Sequence, residues 1–382
     1  MVKYNSIFNK YYQDKSELNN AKTVDFKEYN RKLFVLYKNN SYLFRPKFLV
    51  INITGNCPNS CSFCYASTAN NKLYTSKENL DLSFLKEIIH FMNPIHIFVL
   101  GGEPLLKLDL LKELVFLSCQ NNVKKIGLST SLPFVNDKAI YILKYFHRIK
   151  ISIDGKFRIF DKLKIKKLCD NINANIILKY TVSHNDIDYK EAQDFARKIG
   201  VEFELGWVVE NSHIESSSND VLSDNEVEDV IKSIGNDILF KEDRCLIYQF
   251  VRQSFDFVSL YPCPLENSMI AVNPMKKLHC CDELSMLYDK DVYKKFMVSN
   301  NNPLENIIIN NWAMYNSSCL DCECRYLCKG LCLFGFQKIS ENHCKLVRIF
   351  YKNAINNIYN KYGMDPFLKY NYIMDKIECS NF

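Results

Sequence analysis

Three closely spaced cysteines are the residues with the clearest chemistry in this sequence. Cys57, Cys61 and Cys64 follow an apolar run, Phe48–Ile53, in a C-x3-C-x2-C arrangement. Three thiolates this close can bind three irons of a cubic [4Fe–4S] cluster, which leaves the fourth iron open for reaction. The alternatives are three of the four ligands of a zinc ion, or three thiols in a loop without a metal.

The elements that position these cysteines are predicted to form a parallel sheet. Apolar runs indicate six strands, and apolar residues at helical spacing indicate helices between them. The fold class is therefore α/β, as an open sheet or a partial (β/α)6 barrel of TIM type. The predicted strands are Phe48–Ile53, Ile95–Leu100, Lys125–Ser129, Ile149–Asp154, Ile176–Val182 and Val201–Trp207.

Helix signals separate these strands and extend past the last of them. Asp81 or Ser83 is a candidate cap for the first helix. The clearest helix is predicted to start at Asp188, with Glu191 three residues later, and to end at Gly200. The other helices are predicted at 108–119, 137–147, from 161, and at Asp224–Ile234. Residues 1–46 lack a clean period and are predicted to be a helical extension.

Glycines and polar residues follow the second, third and fourth predicted strands. Gly101, Gly102 and Glu103 follow the second strand, Ser129 and Thr130 end the third, and the stretch 152–155 ends the fourth. The carboxyl ends of parallel strands meet at one edge, so these groups and the cysteines should converge. Glycine permits close backbone approach, and the Glu103 carboxylate can bind an ammonium group.

The cysteine spacing followed by Tyr65, together with Gly101-Gly102-Glu103-Pro104, resembles the radical S-adenosylmethionine (SAM) enzymes. The resemblance implies that the open iron binds SAM and cleaves it reductively to a 5′-deoxyadenosyl radical. It implies that Glu103 holds the SAM amino group. The residues that it places around SAM are Gly101, Gly102, Glu103, Ser129, Thr130, Ser152, Asp154, Lys164 and Asn185.

Two of these positions depart from the family. Ser129-Thr130-Ser131 stands where relatives have Thr-Asn-Gly. Lys164 stands at the place where relatives have an arginine after the Asp-Gly turn. Lysine can meet a carboxylate, but not with the two-pronged geometry of a guanidinium.

A second group of cysteines resembles the SPASM domain, a C-terminal extension of radical SAM enzymes that holds up to two auxiliary [4Fe–4S] clusters. The resemblance assigns Cys263, Cys281 and Cys332 to the first auxiliary cluster. To the second it assigns Cys319, Cys322, Cys328 and Cys344. A structural zinc site is the alternative.

Two questions about these ligands stay open. Cys280 competes with Cys281, because the related turn reads Pro-x-Gly-x4-Cys and Lys276 replaces its glycine. A fourth cysteine for the first cluster has only Cys245 as a distant candidate. Cys119, Cys169 and Cys379 are predicted to be ordinary core or surface thiols.

Composition bounds the class of protein. The 382 residues predict two domains, and the net charge of +6 is small and spread out, which argues against a nucleic-acid partner. No apolar run reaches about 18 residues and no signal peptide is visible, so neither a membrane span nor secretion is expected. Sixteen cysteines in such a chain indicate metal ligands in a reducing cytoplasm.

Five segments are predicted from these boundaries. They are an N-terminal extension (1–46), a radical SAM partial barrel (47–235), a bridging segment (236–262), a SPASM domain (263–344), and a C-terminal helix and tail (345–382).

The resemblance implies a radical SAM/SPASM oxidoreductase that takes a hydrogen atom from a peptide or protein residue. The electron then leaves through the auxiliary clusters, and the product is a crosslink or thioether. The implied partners include a low-potential reductant of flavodoxin or ferredoxin type. Since 46 residues are too few for a full winged-helix domain, either a separate leader-binding protein presents the peptide or the barrel binds it unaided.

Three other functions compete with this one. Asp282, directly after Cys281, is a candidate general base and favours a formylglycine maturase of the anaerobic sulfatase type. A tetrapyrrole-type oxidase and a non-catalytic iron–sulfur or zinc protein are the others.

Overall fold

The computed structural model describes residues 3–5, 10–12, 48–64, 80–155, 158, 160–210, 219–235, 269–276, 278–279, 319, 322 and 340–349. The chain divides into two compact units. The first comprises Arg45–Leu222 and Leu265–Tyr293. The second comprises Met1–Phe44, Ser223–Pro264 and Lys294–Phe382.

The first unit is built on a sheet with eight strands among the described residues. They are β3 (Phe48–Asn52), β4 (His96–Leu100), β5 (Lys125–Thr130), β6 (Arg148–Ile153), β7 (Asn175–Val182), β8 (Glu202–Trp207), β9 (Met269–Val272) and β10 (Leu278–His279). The first two described strands of the chain, β1 (Lys3–Asn5) and β2 (Lys10–Tyr12), belong to the second unit. β3 to β8 are parallel neighbours in chain order, β9 is parallel to β3, and β10 is antiparallel to β9.

Helices connect the parallel strands. They are α1 (Leu82–Met92), α2 (Leu108–Gln120), α3 (Asp137–Leu143), α4 (Lys162–Asn171) and α5 (Lys190–Ile199), with a 3₁₀ turn at Pro104–Lys107. The α/β class and the six alternating units are therefore confirmed, and every strand limit lies within one residue of the predicted one. Because such crossovers are right-handed and the strands follow chain order, the helices lie on one face of the sheet.

Strand residues alternate between this helical face and the opposite face, which we call the inner face. Phe203 on β8 stacks on Tyr189, just before α5, with ring centroids 6.2 Å apart. Side chains of the next residue point the other way. Apolar residues fill the helical face, whereas β5 to β8 place polar residues on the inner face: Ser129, Arg148, Lys150, Ser152, Lys179, Glu202 and Glu204.

The start of α5 differs from the prediction. Tyr189, not Asp188, is the N-cap residue, and no side chain caps the helix. Tyr189 is only 2% exposed and stacks on Phe203, so its burial fixes where the helix begins. The end of α5 is as predicted, because Gly200 adopts a left-handed φ of +72°.

The strand β9 was not predicted as part of this sheet. It is a short apolar stretch inside the segment predicted as SPASM domain, and it pairs in parallel with β3. The turn after it is fixed by Asn273, whose side chain accepts from the Met275 N–H at 3.1 Å. Lys276 in this turn forms an ion pair with Asp81, the N-cap of α1.

The second unit contains the hairpin of β1 and β2. The predicted helical extension is therefore wrong at residues 3–5 and 10–12. The tyrosines of these two segments favour a strand, because aromatic residues are enriched in strands.

Two helices of the second unit are described. They are α6 (Asp224–Gly235), as predicted, and residues 341–349, where a helix was predicted from 345. This helix starts earlier because Ser340 accepts from the His343 N–H at 3.1 Å, as a cap. No helix among the described residues is long and apolar enough to cross a membrane.

Candidate active site

The three cysteines of the first unit lie in the loop that follows β3. Cys61 is buried, with 7% of its surface exposed, and Cys57 and Cys64 are half-buried. A tight turn joins the last two, because the Cys64 N–H donates to the Cys61 carbonyl at 3.2 Å. We call residues 57–64 the cysteine loop.

Burial raises the pKa of Cys57 and Cys61, and the positive charge of Arg158 opposes this rise. Burial raises the pKa of Cys61 to about 11, and the charge of Arg158 lowers it in part. Burial also raises the pKa of Cys57, against backbone hydrogen bonding at Asn59 and the Arg158 charge. The charges of Cys57 and Cys64 act on Cys61 as well, so the three sulfurs are close neighbours. Metal binding to such thiols must displace their protons.

The Gly101-Gly102-Glu103 segment is hydrogen-bonded to the chain that leads into the cysteine loop. The Gly102 N–H donates to the Thr54 carbonyl and the Glu103 N–H to the Asn56 carbonyl, both at 2.7 Å. A Cβ on Gly102 would lie 2.1 Å from the Asn56 oxygen. Gly101 has a φ of +125°, which side chains rarely adopt. These glycines therefore allow close approach to backbone, where the sequence suggested approach to a ligand.

The Glu103 carboxylate is 1% exposed and is held by donors from two elements. One oxygen accepts from the Thr130 hydroxyl at 2.6 Å and the Leu105 N–H at 3.0 Å. The other accepts from the backbone N–H and the hydroxyl of Ser131, both at 2.7 Å. Thr130 and Ser131 at the end of β5 therefore position Glu103, and Ser131 was not among the predicted site residues.

Arg158 is the positive charge beside the cysteine loop. Its guanidinium pairs with the buried Asp154 carboxylate at 3.2 Å and lies over the Phe63 ring, 5.5 Å from the centroid. Sequence reasoning placed the expected arginine at Lys164. The Lys164 ammonium instead contacts the Pro133 carbonyl at 3.0 Å and Asp161 at 3.5 Å. The sequence did contain a signal for this role of Arg158, because it is an arginine four residues after Asp154.

The remaining predicted SAM-site residues lie at or near the carboxyl ends of β5, β6 and β7. Ser152 is half-buried on β6, and Ser129 lies on β5 opposite Lys150. Asn185 is exposed at a left-handed position, φ +61°, in the turn after β7. The neighbouring Asp186 was missed, although its carboxylate accepts from Gly155 N–H at 2.9 Å and Tyr180 hydroxyl at 2.6 Å.

Asp220 is a second residue that sequence reasoning missed. It is 2% exposed, and its carboxylate accepts a hydrogen bond from Ser62 in the cysteine loop. Its carbonyl accepts from the His184 N–H at 2.9 Å. Asp220 thus connects the cysteine loop to the turn after β7, and no motif in the sequence indicates it.

Comparison with known proteins shows which family this part of the chain resembles. Residues 51–234 match the radical SAM superfamily. We refer to these 184 of the 382 residues as the radical SAM domain, after the family that they match. An uncharacterized protein of Methanocaldococcus jannaschii, MJ0907, is 30% identical over 118 residues, which cover 28% of this chain. The match spans 39% of the length of that protein.

Solved structures share the fold of the radical SAM domain and extend beyond it. SuiB of Streptococcus suis bound to its precursor peptide SuiA aligns with a TM-score of 0.53 and 17% identity, over 84% of this chain and 80% of SuiB. SuiB bound to S-adenosylmethionine gives 0.51 and 16%, over 82% and 80%. The native anSMEcpe with bound AdoMet gives 0.58 and 15%, over 82% and 98%.

The cysteine loop of the radical SAM domain fits a cubic iron–sulfur cluster. Its donor set is three soft thiolates from one loop, next to the cation of Arg158. No group of three His, Cys, Asp or Glu residues among those described converges on a single metal ion. A cubic cluster does not require this, because each cysteine binds a different iron.

Three predicted auxiliary ligands are described in the second unit. Cys319 and Cys322 form a turn, in which the Cys322 N–H donates to the Cys319 carbonyl at 3.1 Å. Burial raises the pKa of Cys344, and the charge of Cys322 raises it further. The other predicted residues of this region lie outside the described residues: Cys263, Cys280, Cys281, Asp282, Cys328 and Cys332.

One described residue bears on the choice between Cys280 and Cys281. Lys276 occupies the place of the glycine in the related Pro-x-Gly turn, and it has a left-handed φ of +64°. Glycine adopts this conformation without strain, so the backbone here is the one that a glycine would favour. This observation supports the turn on which the choice of Cys281 depends.

Proposed function

We propose that this protein is a radical SAM oxidoreductase that modifies a residue of a peptide or protein. The observation that carries the proposal is the placement of the cysteine loop, Glu103 and the Asp154–Arg158 pair around one edge of a parallel sheet. Bound there, a [4Fe–4S] cluster and SAM would supply a 5′-deoxyadenosyl radical, which removes a hydrogen atom from the substrate.

The residues of the chain have separate tasks in this proposal. Cys57, Cys61 and Cys64 hold the cluster. Arg158 receives the SAM carboxylate. Its guanidinium is the positive charge that opposes the rise in the pKa of Cys57 and Cys61, and a guanidinium binds a carboxylate strongly. Thr130 and Ser131 hold the Glu103 carboxylate in place by hydrogen bonds, and Glu103 positions the SAM amino group at the carboxyl edge of the sheet.

The rigid support is as important as the contacts. Hydrogen bonds to Thr54 and Asn56 hold the Glu103 segment against the cysteine loop, and Asp220 holds the loop from the other side. Preorganised groups spend little free energy on ordering when the cofactor binds. We therefore assign the glycines and Asp220 to positioning.

A peptide substrate is supported by fold likeness over most of the chain. The solved structure of SuiB that aligns with 84% of this chain holds the precursor peptide SuiA. The alignment extends beyond the 184 residues from 51 to 234. We propose that Cys319, Cys322, Cys328 and Cys344 hold one auxiliary cluster, and that Cys263, Cys281 and Cys332 hold another.

Anaerobic reconstitution followed by SAM cleavage tests the proposed chemistry. The wild-type chain, given SAM and dithionite, should release 5′-deoxyadenosine. Cys61→Ala should release none and should hold about four irons fewer, because one cubic cluster is lost. Cys119→Ala, a matched change at an exposed thiol, should behave as wild type.

The substrate class requires its own measurement. Candidate precursor peptides, with and without a leader-binding protein, should increase 5′-deoxyadenosine release and lose two hydrogens in mass spectrometry. Wild-type protein that forms no 5′-deoxyadenosine would contradict the radical chemistry. If the protein releases 5′-deoxyadenosine but no peptide or protein increases this release or is converted to a product, only the substrate class is contradicted.

A further inference from the structure

A charged cluster on the inner face of the sheet has no part in the site described above. It consists of Lys150 on β6, Lys179 on β7 and Glu204 on β8. The Lys150 ammonium lies 2.7 Å from one Glu204 oxygen. The Lys179 ammonium lies 3.7 Å from the other, beyond the usual length of a hydrogen bond. We call these residues the lysine cluster.

Strand register places the lysine cluster directly below the candidate active site. Phe203 faces the helices, so Glu204 must face the inner side. Lys179 is paired in register with Glu204 on one side and with Ser152 on the other. Ser152 is a predicted SAM-site residue, and Asp154 follows two positions later on the same side of the chain.

The Lys179 side chain leans toward the carboxyl edge of the sheet. A Cβ on Gly206 would lie 3.6 Å from the Lys179 Cε. Gly206 is two residues closer to that edge than Glu204, the register partner of Lys179. The absence of a side chain at Gly206 leaves the end of Lys179 open toward the edge where SAM is expected.

The charges of the cluster do not balance. Burial raises the pKa of Glu204, but Lys179 and Lys150 outweigh it and keep the group ionised. Glu204 raises the pKa of Lys179, whereas desolvation, Lys150 and Arg158 lower it, and the lowering prevails. Two ammonium groups thus share one carboxylate. A further anion next to Lys179 would offset the repulsion from Lys150 and Arg158.

Exposure shows which member of the cluster a ligand can reach. The Lys179 side chain is 37% exposed and that of Glu204 only 10%. A carboxylate that approaches along the inner face therefore meets Lys179 first, while Lys150 remains on Glu204.

We propose that Lys179, supported by Lys150 and Glu204, binds a carboxylate of the substrate and so selects a peptide with an acidic group near the residue that is modified. This inference rests on the proposed function and names the substrate class of the same site. A substrate must lie next to SAM to lose a hydrogen atom to the 5′-deoxyadenosyl radical. Lys179 is close enough to this place to contact such a substrate, because it is paired in register with Ser152, a predicted SAM-site residue.

Three small probes test this subsite on the reconstituted protein with SAM bound. N-acetyl-glutamate N-methylamide has a side-chain carboxylate only. N-acetyl-glutamine has a terminal carboxylate only, and N-acetyl-glutamine N-methylamide has neither. Ligand-observed NMR titration should show one of the two anionic probes binding about three to ten times more tightly than the neutral probe, as a partly exposed ion pair allows. The tighter of the two tells which carboxylate is recognised.

Variants identify the lysine. Lys179→Gln should abolish the preference for the anionic probe, and Lys179→Arg should retain it. Lys166→Gln, the same change on the exposed surface of α4, should leave it unaltered. Because Lys179→Gln leaves Glu204 with one cation fewer, the double variant Lys179→Gln/Glu204→Gln restores the charge balance and should also lack the preference.

Two results would overturn the subsite. They are equal binding of all three probes to the wild-type protein, and a preference that survives Lys179→Gln. Release of 5′-deoxyadenosine from SAM by the wild-type protein is measured separately. The proposed function can therefore stand while the lysine subsite fails, and the two failures are distinguishable.

Discussion

At the scale of single residues, Arg158 connects the cysteine loop to the end of β6. Its guanidinium pairs with Asp154, covers the ring of Phe63 and lowers the pKa of both Cys57 and Cys61. Glu204 and its two lysines form a second charge group, on the inner face of β6, β7 and β8. Residues that influence each other in this way form one electrostatic unit.

The first prediction separates Arg158 from Lys164 as the group that receives the SAM carboxylate. Arg158→Lys should weaken SAM binding by about tenfold or more, because a charge-assisted and forked hydrogen bond is lost. Lys164→Gln should change SAM binding less than about threefold, since its ammonium is already engaged by Pro133 and Asp161. Equilibrium dialysis with labelled SAM measures both. A larger effect at Lys164 would return the role to that residue.

At the scale of elements, the cysteine loop and the segment after β4 behave as a single folded piece. Two backbone hydrogen bonds, from Gly102 to Thr54 and from Glu103 to Asn56, join them side by side. Such an approach leaves no space for a Cβ on Gly102. The position of the cysteines therefore depends on a glycine that lies 38 to 45 residues away from them in the sequence.

The second prediction tests this dependence. Gly102→Ala should displace the cysteine loop and lower iron incorporation by about four atoms per chain, because the new Cβ would lie 2.1 Å from a backbone oxygen. Gly200→Ala is the control. It lies at a positive φ with nothing within 4 Å, so it should cost about 1 kcal/mol of stability without loss of iron. Full iron content in Gly102→Ala would contradict the packing described here.

The third prediction concerns the ion pair between α1 and the turn after β9. Asp81 accepts hydrogen bonds from Lys276, from the Phe84 N–H and from Ser83. Together they lower the pKa of Asp81 well below the ordinary value of 3.8. A carboxyl whose pKa is lowered by folding stabilises fully above its ordinary pKa, and it loses this effect gradually as pH falls from the ordinary pKa through the lower folded-state pKa. Asp81→Asn keeps a capping oxygen and removes the ion pair.

Urea unfolding followed by circular dichroism at two pH values tests this ion pair. The wild-type protein should unfold at a higher urea concentration than Asp81→Asn at pH 7, and the two midpoints should approach each other near pH 3. Lys232→Gln, which breaks an exposed pair within α6, serves as a control with little effect at either pH. A difference that is as large at pH 3 as at pH 7 would exclude the titration of Asp81 as its cause.

At the scale of the whole molecule, the two units are predicted to hold separate clusters. Cys57, Cys61 and Cys64 belong to the first unit, and Cys319, Cys322 and Cys344 to the second. Each unit is compact by itself, so a change in the cluster ligands of one should spare the other. The proposed electron path requires both sets.

The fourth prediction counts the clusters. The reconstituted wild-type chain should contain about twelve irons, and the triple change of Cys57, Cys61 and Cys64 to Ala about eight. Cys344→Ala should also lower the count by about four while SAM still binds. Cys169→Ala, at another half-buried thiol, should keep all of them. Zinc in place of iron in the second unit would make that unit structural.

The sequence by itself determined the order of the elements and the place of the chemistry in them. Strand and helix periods are local properties of the chain, so β3 to β8, with the helices between them, are readable without a structure. The cysteine spacing and the Gly-Gly-Glu segment are also local. Because parallel strands end at one edge, even the convergence of Glu103 with the cysteines followed from chain order.

The tertiary structure alone decided which side chains complete the site. Arg158, Asp186, Asp220 and the lysine cluster act through partners 4 to 158 residues away, and residue types at such distances carry no local period. The pairing of β9 with β3 and the start of α5 at Tyr189 likewise depend on burial against distant residues. Contacts of this kind are chosen by packing and hydrogen bonding in the folded chain, which the sequence specifies but does not display.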